Sequence, residues 1–298
     1  MVDIKGIIVA ICTPLNSDES LNLNELRNQI ERQIESGIDG IFTTGTNGEG
    51  YILNGAEKRQ VLVTTIDQVK GRVPVYAGTG CISTKETIEQ SLVAKELGAD
   101  VISLITPSFA TASQEELYNH FKTVALAVDL PILLYNIPAR TGNTLEPETV
   151  RRLVKIKNIV GIKDSSGKWD NLKAYLEITK ERPDFVVLSG NDSLILDALI
   201  EGGKGGIAGC ANVYPALLSS IYDLYIEGKI DEARVAQNSI ASFRAVFKYG
   251  NSNTIVKKAV ELLGYPVGPC RAPFSGLSEE GLEALKAVLE ENKLKGLH

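Results

Sequence analysis

The stretch Glu35-Ser36-Gly37-Ile38-Asp39-Gly40 recurs in form as Glu96-Leu97-Gly98-Ala99-Asp100-Val101, and this repeat is the strongest indication of the fold. In each copy, a polar segment of helical period ends at a glycine and an apolar run begins directly after it. The two glycines lie 61 residues apart (98 − 37). This is the length of two strand–helix units of about thirty residues each. The repeat therefore predicts that strands and helices alternate along the chain.

The same alternation extends in both directions from this repeat. Leu26, Ile30 and Ile34 recur every fourth residue, as do Ile88 and Leu92, which predicts helices that each bury one apolar stripe. Short apolar runs between such segments predict eight strands, at residues 6–13, 40–44, 73–78, 101–106, 131–135, 159–163, 185–189 and 206–211. Eight units with right-handed crossovers predict an α/β protein with a (β/α)₈ TIM barrel.

The main alternative is an open, doubly wound sheet. It is disfavoured because Cys12-Thr13-Pro14-Leu15, after the first strand, lacks the glycine-rich phosphate fingerprint of that fold. After the eighth strand the pattern predicts helices alone, at residues 215–249, 253–263 and 278–293. We therefore expect residues 1–224 to form the barrel that carries the site, and residues 225–298 to form a C-terminal helical extension packed beside it.

The composition limits the classes of ligand. Hydrophobic residues make up 44% of the 298 residues and charged residues 23%, which is typical of a folded globular protein. A net charge of −6 disfavours a nucleic-acid partner and an anionic membrane surface, so a small molecule is the expected ligand. No apolar run approaches the ~20 residues of a membrane span and the N-terminus lacks a secretion pattern, so we expect no membrane partner and a cytoplasmic location.

The cysteines and histidines do not indicate a metal centre. Cys12, Cys81, Cys210 and Cys270 are far apart in the sequence, and the chain has only two histidines, His120 and His298. We expect the cysteines to be free thiols in a reducing compartment. No metal site is predicted.

Polar residues at strand ends are the candidates for function, because the loops that follow the strands of such a barrel build its active face. Thr44-Gly45-Thr46-Asn47-Gly48-Glu49-Gly50, the glycine-rich loop, follows strand two and offers hydroxyl, amide and backbone N–H groups that can hold a carboxylate. A polar tight turn without function is the alternative. Strand five ends at Tyr135 and leads to Arg140, which places a phenol and a guanidinium on the same face of the barrel. The alternative without function is that Tyr135 is a core ring with its hydroxyl satisfied and that Arg140 forms a surface ion pair.

Strand six is the most informative, because Ile159-Val160-Gly161-Ile162-Lys163-Asp164 places a lysine at the end of an apolar run. Lys163 and Gly161 share one face, so the missing side chain of Gly161 is expected to leave room for a ligand. Burial favours the neutral amine, the form that attacks a ketone and yields a Schiff base. An ion pair between Lys163 and Asp164 or Glu49 is the alternative.

The expected barrel also brings the three polar strand ends together. Strands five and six are neighbours, which places Tyr135 beside Lys163, and Thr46 can face both across the barrel mouth. These residues form a plausible set of nucleophile, proton carrier and relay.

Three motifs together resemble the Schiff-base aldolases that include dihydrodipicolinate synthase and N-acetylneuraminate lyase. They are Gly45-Thr46-Asn47-Gly48-Glu49, Tyr135-Asn136-Ile137-Pro138 and Gly161-Ile162-Lys163-Asp164-Ser165, in that order and spacing. The resemblance covers nearly the whole chain. It implies a TIM barrel, assembled as a homotetramer that is a dimer of dimers, which binds pyruvate as an imine without a metal or organic cofactor.

The resemblance also assigns roles to particular residues. Lys163 would form the imine, Tyr135 would shuttle protons, and Thr46 would connect Tyr135 to bulk water. Five further positions would bind substrate or shape its pocket: Asn47, Gly48, Arg140, Gly190 and Ile207. Among them, Arg140 matches the arginine that receives the carboxylate of aspartate semialdehyde in the synthases.

Several positions depart from the synthase pattern. Phe109 stands where synthases contribute a second tyrosine to the neighbouring subunit's site, and Asn47 replaces a threonine, as in hydroxy-oxo-acid aldolases of the family. Tyr51 and Tyr118 are candidates to replace the missing tyrosine. Gly55, Lys58 and Ile82 stand where lysine-regulated synthases carry two histidines and an asparagine, so no feedback inhibition by lysine is expected.

These observations favour a pyruvate-dependent class I lyase that acts on a 4-hydroxy-2-oxo or 2-oxo-3-deoxy acid, because of Asn47 and Phe109. The alternative, favoured by Arg140, is 4-hydroxy-tetrahydrodipicolinate synthase, which condenses pyruvate with aspartate semialdehyde. A second alternative is a pyruvate-binding protein that has lost turnover.

Overall fold

Eight parallel strands close into a barrel in the computed structural model, which describes residues 2–274 and 276–297. His298 lies outside these residues. The strands are β1 (Gly6–Ala10), β2 (Gly40–Thr43), β3 (Val75–Gly78), β4 (Val101–Ile105), β5 (Ile132–Asn136), β6 (Ile159–Asp164), β7 (Val186–Ser189) and β8 (Gly205–Ala208). Each strand pairs with the next, and β8 pairs with β1. The predicted (β/α)₈ TIM barrel is confirmed.

Helices separate successive strands and continue beyond β8. They are α1 (Leu23–Glu35), α2 (Gly55–Val69), α3 (Thr84–Leu97), α4 (Gln114–Ala127), α5 (Pro138–Thr141), α6 (Pro147–Leu153), α7 (Trp169–Ile178), α8 (Ile195–Ile200), α9 (Pro215–Ile226), α10 (Ile230–Ser239), α11 (Ala241–Ala245), α12 (Ser252–Leu262) and α13 (Glu279–Leu294). Short 3₁₀ helices cover Asp192–Leu194, Cys210–Asn212 and Val246–Tyr249. Of the helices described, none combines the length and the apolar character needed to cross a membrane.

The single helix predicted over residues 215–249 is wrong. The chain forms α9, α10, α11 and a 3₁₀ turn there. α9 ends because Gly228, two residues after its last residue, takes a left-handed conformation with φ +76°. The division of the chain between residues 224 and 225 stays a prediction, and α9 ends two residues beyond it, at Ile226.

The repeated helix-to-strand joint has the same geometry in both copies. Gly37 and Gly98 follow α1 and α3 with left-handed φ angles of +83° and +94°, which ends each helix as the sequence predicts. The aspartate two residues later then accepts a hydrogen bond from a backbone N–H at the start of the preceding strand. Asp39 accepts from Ile7 at 2.7 Å, and Asp100 accepts from Val75 at 2.8 Å. Each joint therefore ends a helix and fastens two neighbouring strands.

The helix stripes predicted from apolar spacing are only partly correct. Leu26 and Ile30 are buried on α1, as expected. On α3, however, Leu92 is 45% exposed, and the buried face carries Thr87, Ser91 and Ala94 instead. These small residues let α3 lie close to the barrel, and their hydroxyls are satisfied locally: the Ser91 hydroxyl, for example, lies 2.8 Å from that of Thr79.

The strands are shorter at their carboxyl ends than the apolar runs suggest. β1 ends at Ala10 and β8 at Ala208, because the side chain of Asn212 replaces strand pairing beyond them. Its amide nitrogen donates to the Ala10 carbonyl at 2.8 Å, and its oxygen accepts from the Cys12 N–H at 2.9 Å.

Apolar side chains fill the barrel interior. They include Ile8, Phe42, Tyr76, Leu133 and Leu188, all fully buried. The polar strand-end residues lie at the carboxyl end of the barrel, where the chain can form an open cavity.

Candidate active site

One cavity at the carboxyl ends of the strands brings the predicted site residues together. It has a volume of about 200 Å³. Seven of the eight predicted positions line it: Thr46, Asn47, Tyr135, Arg140, Lys163, Gly190 and Ile207. Gly48, within the glycine-rich loop, does not line the cavity, and its carbonyl accepts a hydrogen bond from the Thr13 hydroxyl at 2.7 Å.

Lys163 lies inside the barrel near the end of β6 and is 4% exposed. Its Nζ is 4.0 Å from the centroid of the Tyr135 ring and 5.2 Å from that of Phe42. Among residues 2–274 and 276–297, no carboxylate oxygen lies within 4.0 Å of this nitrogen. The amine therefore faces the cavity between two aromatic rings without a counter-ion.

Neither ion pair that the sequence left open for Lys163 forms, because both carboxylates have other partners. Glu49 pairs with Lys257 at 2.9 Å. Asp164 accepts hydrogen bonds from the Asn136 amide at 2.8 Å and from the Ser166 hydroxyl at 2.7 Å.

Gly161 does not leave room for a ligand, so that expectation is wrong. A Cβ atom at this position would lie 2.5 Å from the Val186 carbonyl oxygen and 3.0 Å from Cδ1 of Leu133. The glycine lets neighbouring strands and core side chains pack closely beneath the cavity.

Gly190 is the glycine that makes space for the lysine. A Cβ atom there would lie 2.8 Å from Cε of Lys163 and 2.0 Å from Oγ of Ser165. A side chain at this position would therefore displace the stem of Lys163.

Tyr135 connects Lys163 to the glycine-rich loop. The pairing of β5 with β6 places Tyr135 directly opposite Lys163, as predicted. The Tyr135 hydroxyl lies 3.0 Å from Oγ1 of Thr46, close enough for a hydrogen bond in which either group donates. The three residues thus form one continuous set, with an amine, a phenol and an aliphatic hydroxyl in that order.

Residues of α12 fasten the glycine-rich loop from the side of the C-terminal helices. The Asn253 amide donates to the Thr46 carbonyl at 2.6 Å. One helical turn later, Lys257 forms its ion pair with Glu49, and both side chains are only 1% exposed. Lys257 also donates to the carbonyls of Thr13 at 2.9 Å and Pro269 at 2.7 Å. The second carboxylate oxygen of Glu49 accepts from the Arg271 N–H at 2.8 Å.

Sequence reasoning missed this support, although a signal was present. Asn253 and Lys257 share one face of α12 with Val256 and Val260, so the apolar spacing places both polar residues on the buried face. A lysine at a buried helical position needs an acidic partner, and Glu49 is that partner.

A second arginine in the cavity was also missed. Arg244, in α11, lines the cavity together with Arg140, and its guanidinium pairs with the buried carboxylate of Asp192 at 2.9 Å. Arg140 is exposed on α5 and donates to the Ser252 hydroxyl at 3.2 Å. With Lys163, the lining thus carries three cationic side chains and one carboxylate, which favours an acidic small molecule.

The structure also separates the two candidates for the missing tyrosine. Phe109 is 99% exposed and does not line the cavity of its own chain. Tyr118 lies on α4, where the Arg152 guanidinium stacks 3.8 Å from the centroid of its ring. Tyr51 instead adjoins the site, since it lines a neighbouring pocket of about 540 Å³ together with Thr46 and Arg140. Burial raises the pKa of the Tyr51 phenol.

The remaining titratable candidates lie outside the cavity. His120 packs between α3 and α4, where its Nδ1 lies 2.9 Å from the Thr84 hydroxyl, and burial lowers its pKa to about 4. All four cysteines are free. In the described part of the chain, no group of three or more histidine, cysteine, aspartate or glutamate side chains is placed to hold a metal ion.

Comparison with known proteins agrees with the resemblance carried by the three sequence motifs. A model of the dihydrodipicolinate synthetase family matches residues 3–292. The chain is 40% identical over 291 residues to a 4-hydroxy-tetrahydrodipicolinate synthase of Methanopyrus kandleri, covering 97% of this chain and 96% of the relative. It is 41% identical over 290 residues to the synthase of a Geobacter species (strain M21), covering 97% and 99% of the two chains.

A solved structure agrees with this result. The crystal structure of a chloride-inhibited dihydrodipicolinate synthase from Acinetobacter baumannii, complexed with pyruvate, superimposes with a TM-score of 0.94 at 36% identity, covering 98% of this chain and 99% of that one. The chain therefore belongs to the dihydrodipicolinate synthetase family and is an enzyme, as its three motifs predict.

Proposed function

We propose that this enzyme is a pyruvate-dependent class I lyase in which Lys163 forms an imine with the keto carbon of pyruvate. One observation carries the proposal: the Lys163 amine is buried, has no counter-ion within 4.0 Å among the described residues, and lies beside the hydrogen-bonded pair of Tyr135 and Thr46. The Acinetobacter baumannii relative, which was solved with pyruvate, supports this choice of ketone.

The chemistry follows from the imine. The neutral Lys163 amine attacks the keto carbon, and the oxygen leaves as water after protonation by Tyr135. The protonated imine then withdraws electrons from the methyl carbon. Loss of a methyl proton gives an enamine, whose carbon attacks an aldehyde. Because the imine itself accepts the electrons, the proposal requires no metal or organic cofactor.

Other groups in the cavity would bind the pyruvate carboxylate. Asn47 offers an amide, and the adjoining loop offers backbone N–H groups. Gly190 and Ile207 would shape the walls around the imine, in keeping with their positions on the lining.

For the second substrate we propose aspartate semialdehyde, which gives 4-hydroxy-tetrahydrodipicolinate. Arg140 would bind its carboxylate through paired N–H groups, and Arg244 adds positive charge to the same cavity. Both curated relatives described above carry the name of this synthase. A 4-hydroxy-2-oxo or 2-oxo-3-deoxy acid is the second candidate, favoured by Asn47 and Phe109. A pyruvate-binding protein without turnover is the third.

We further propose that the enzyme is a cytoplasmic homotetramer, assembled as a dimer of dimers. Large apolar side chains are exposed on and beside the wider neighbouring pocket: Tyr51, Ile82, Phe109 and Phe274. A second copy of the chain would cover this patch. The four free thiols are in keeping with a reducing compartment. Lys58 and Ile82 line the same pocket, and we expect no inhibition by lysine there.

Reduction with borohydride in the presence of pyruvate tests the imine. The expected result is a covalent adduct on the peptide that contains Lys163, detected by mass spectrometry. K163R should abolish it. K168R is the matched control, because Lys168 is five residues away and exposed, and it should leave the adduct unchanged. Protection of the protein without an adduct would support the pyruvate-binding alternative and contradict the lyase.

A second assay separates the acceptor substrates. Turnover of pyruvate with aspartate semialdehyde is compared with pyruvate release from a panel of 2-oxo-3-deoxy and 4-hydroxy-2-oxo acids. We expect the higher kcat/KM with aspartate semialdehyde. A preference for the panel acids would replace our choice of substrate but leave the imine chemistry intact.

A further inference from the structure

Arg244 comes from α11, beyond the barrel strands, and lines the cavity that holds Lys163. Its Nη1 donates to Oδ2 of Asp192 at 2.9 Å. The Asp192 side chain is only 6% exposed, and its other oxygen accepts from the Gly209 N–H at 3.0 Å. Because both carboxylate oxygens have donors, Asp192 is held in place, and it fixes the direction of the Arg244 guanidinium.

The backbone of Asp192 is held as well. The buried side chain of Gln237, on α10, donates to the Asp192 carbonyl at 2.7 Å and accepts from the Leu196 N–H at 3.1 Å. This contact ties the segment after β7 to the helix that precedes Arg244. The arginine and its carboxylate therefore form one built wall of the cavity.

Most N–H groups of Arg244 remain available to a ligand. Of its nitrogens, only Nη1 makes a hydrogen bond to an oxygen atom of the described residues. Asp192 is also the only carboxylate within 4.0 Å of this guanidinium in residues 2–274 and 276–297. A guanidinium presents a planar fork of donors that matches the two oxygens of a carboxylate. Arg244 can thus keep Asp192 and bind a second anion.

Arg140 lines the same cavity but is held much less firmly. It is exposed, and it donates only to neutral groups, the Ser252 hydroxyl at 3.2 Å and the Asn251 side-chain oxygen at 3.4 Å. The carboxylate of pyruvate has its proposed donors at Asn47 and the adjoining loop. Both arginines are therefore free to bind the acceptor, and one carboxylate has enough lone pairs to accept from both.

The charges of the lining favour an acceptor that carries a carboxylate. With pyruvate bound, the positive charge of the imine on Lys163 is balanced by the pyruvate carboxylate. Asp192 balances Arg244, so Arg140 has no counter-charge on the lining. Removing this charge from water against a neutral aldehyde costs free energy, whereas a carboxylate on the acceptor supplies the missing partner.

We propose that Arg244, held by Asp192, forms with Arg140 a subsite for the carboxylate of the acceptor. The enzyme then takes aldehydes that carry a carboxylate in preference to neutral hydroxyaldehydes. This inference rests on the proposed imine chemistry at Lys163 and names the class of its second substrate. It makes Arg244 a specificity-determining residue and Asp192 the residue that positions it.

Steady-state kinetics with acceptors of both classes test the subsite. The carboxylate class is represented by aspartate semialdehyde and by 4-hydroxy-2-oxoglutarate, which releases an aldehyde with a carboxylate. The neutral class is represented by 2-oxo-3-deoxygluconate, which releases glyceraldehyde. We expect the unmodified enzyme to prefer the carboxylate class.

The variant R244Q removes the charge and keeps a hydrogen-bonding amide. We expect it to lower kcat/KM for the carboxylate class by about 10- to 100-fold, with the neutral substrate changed less than about threefold. The KM for pyruvate and the borohydride-trapped imine should stay within about twofold of the unmodified enzyme. R244K should lose less than R244Q, because it keeps the charge but not the planar fork.

R234Q is the matched control. Arg234 lies on α10, forms a partly exposed pair with Asp197 at 2.7 Å, and does not line the cavity, so R234Q should leave all these values unchanged. Thermal unfolding shows whether each variant folds. If R244Q does not, D192N/R244Q takes its place under the same criterion, because it removes both charges of the pair together.

Equal losses in R244Q for the two substrate classes, or an equal rise in KM for pyruvate, would overturn the subsite and leave Arg244 with a structural role. A preference of the unmodified enzyme for the neutral class would overturn it too. In these cases a trapped imine would leave the chemistry at Lys163 intact. Absence of the imine, or an imine without turnover of any acceptor, would overturn the proposed function and the subsite with it.

Discussion

Replacing Lys257 with methionine tests whether α12 holds the glycine-rich loop in place. Methionine is unbranched like lysine and one atom shorter, and it removes the charge and all three hydrogen bonds, to Glu49, Thr13 and Pro269. The Glu49 carboxylate would then remain in a site where it is 1% exposed, without a counter-ion and with the Arg271 N–H still donating to it.

The expected loss of stability follows from this geometry. At 2.9 Å, the attraction between the two charges is about 6 kcal/mol for an effective dielectric constant of ~20. The cost of removing both ions from water offsets most of that gain, so the pair as a whole contributes little. Removing one partner alone leaves the other charge buried, which costs about 3–5 kcal/mol. We expect K257M to lower the free energy of unfolding by this amount.

Urea unfolding followed by circular dichroism, at pH 7.5 and one fixed protein concentration, measures the change. K286M is the control, because Lys286 forms an exposed pair with Glu283 at 2.8 Å and its loss should cost less than about 0.5 kcal/mol. The double variant E49Q/K257M should lose less than the sum of the single variants by about 2 kcal/mol. A loss below about 1 kcal/mol in K257M, or strict additivity in the double variant, would refute the reasoning.

Four further outcomes are expected. Burial lowers the pKa of His120 to about 4, whereas the unfolded chain takes up this proton near pH 6.5, so stability should fall by up to about 3 kcal/mol as the pH falls between these values. In H120N the urea midpoints at pH 7 and pH 4.5 should differ less than they do in the unmodified protein, and an equal difference in both proteins would contradict this assignment. Y135F should lower kcat by about 10²- to 10³-fold, and a kcat within threefold would exclude Tyr135 as the proton carrier. R140A should raise KM for aspartate semialdehyde about 10- to 100-fold while KM for pyruvate stays nearly constant, and equal increases in both would point to a structural role. G161A should lower the free energy of unfolding by about 1–3 kcal/mol, because its Cβ would meet the Val186 carbonyl; an unchanged Tm would contradict the close packing described there.

The fold was predictable because its signals are local. Each strand is a short apolar run, and each repeated joint carries its own glycine and aspartate, so eight units could be counted from the sequence alone. The buried faces of the helices were harder to predict from the sequence. On α3, the sequence offers Ile88 and Leu92 as an apolar stripe, but contact with the barrel favours Thr87, Ser91 and Ala94, whose small size only matters once the helix is packed.

The candidate site was predictable where its residues lie at strand ends. Strand pairing alone fixes Tyr135 opposite Lys163, and the loop after β2 brings Thr46 to them. The supports were not predictable in the same way. Lys257 and Arg244 reach the site from helices after the barrel, and no local pattern specifies a contact between segments so distant in the chain. Gly161 was misread because a missing side chain can be filled by neighbours as readily as by a ligand.

The fastening of Glu49 has a consequence for how this protein is made. Its partners Lys257 and Arg271 come 208 and 222 positions later in the chain. A ribosome therefore translates Lys163 well before it translates the residues that secure the loop opposite. An unfinished or prematurely terminated polypeptide would carry the Lys163 amine without these fastening contacts, so we expect no turnover before synthesis has passed Arg271.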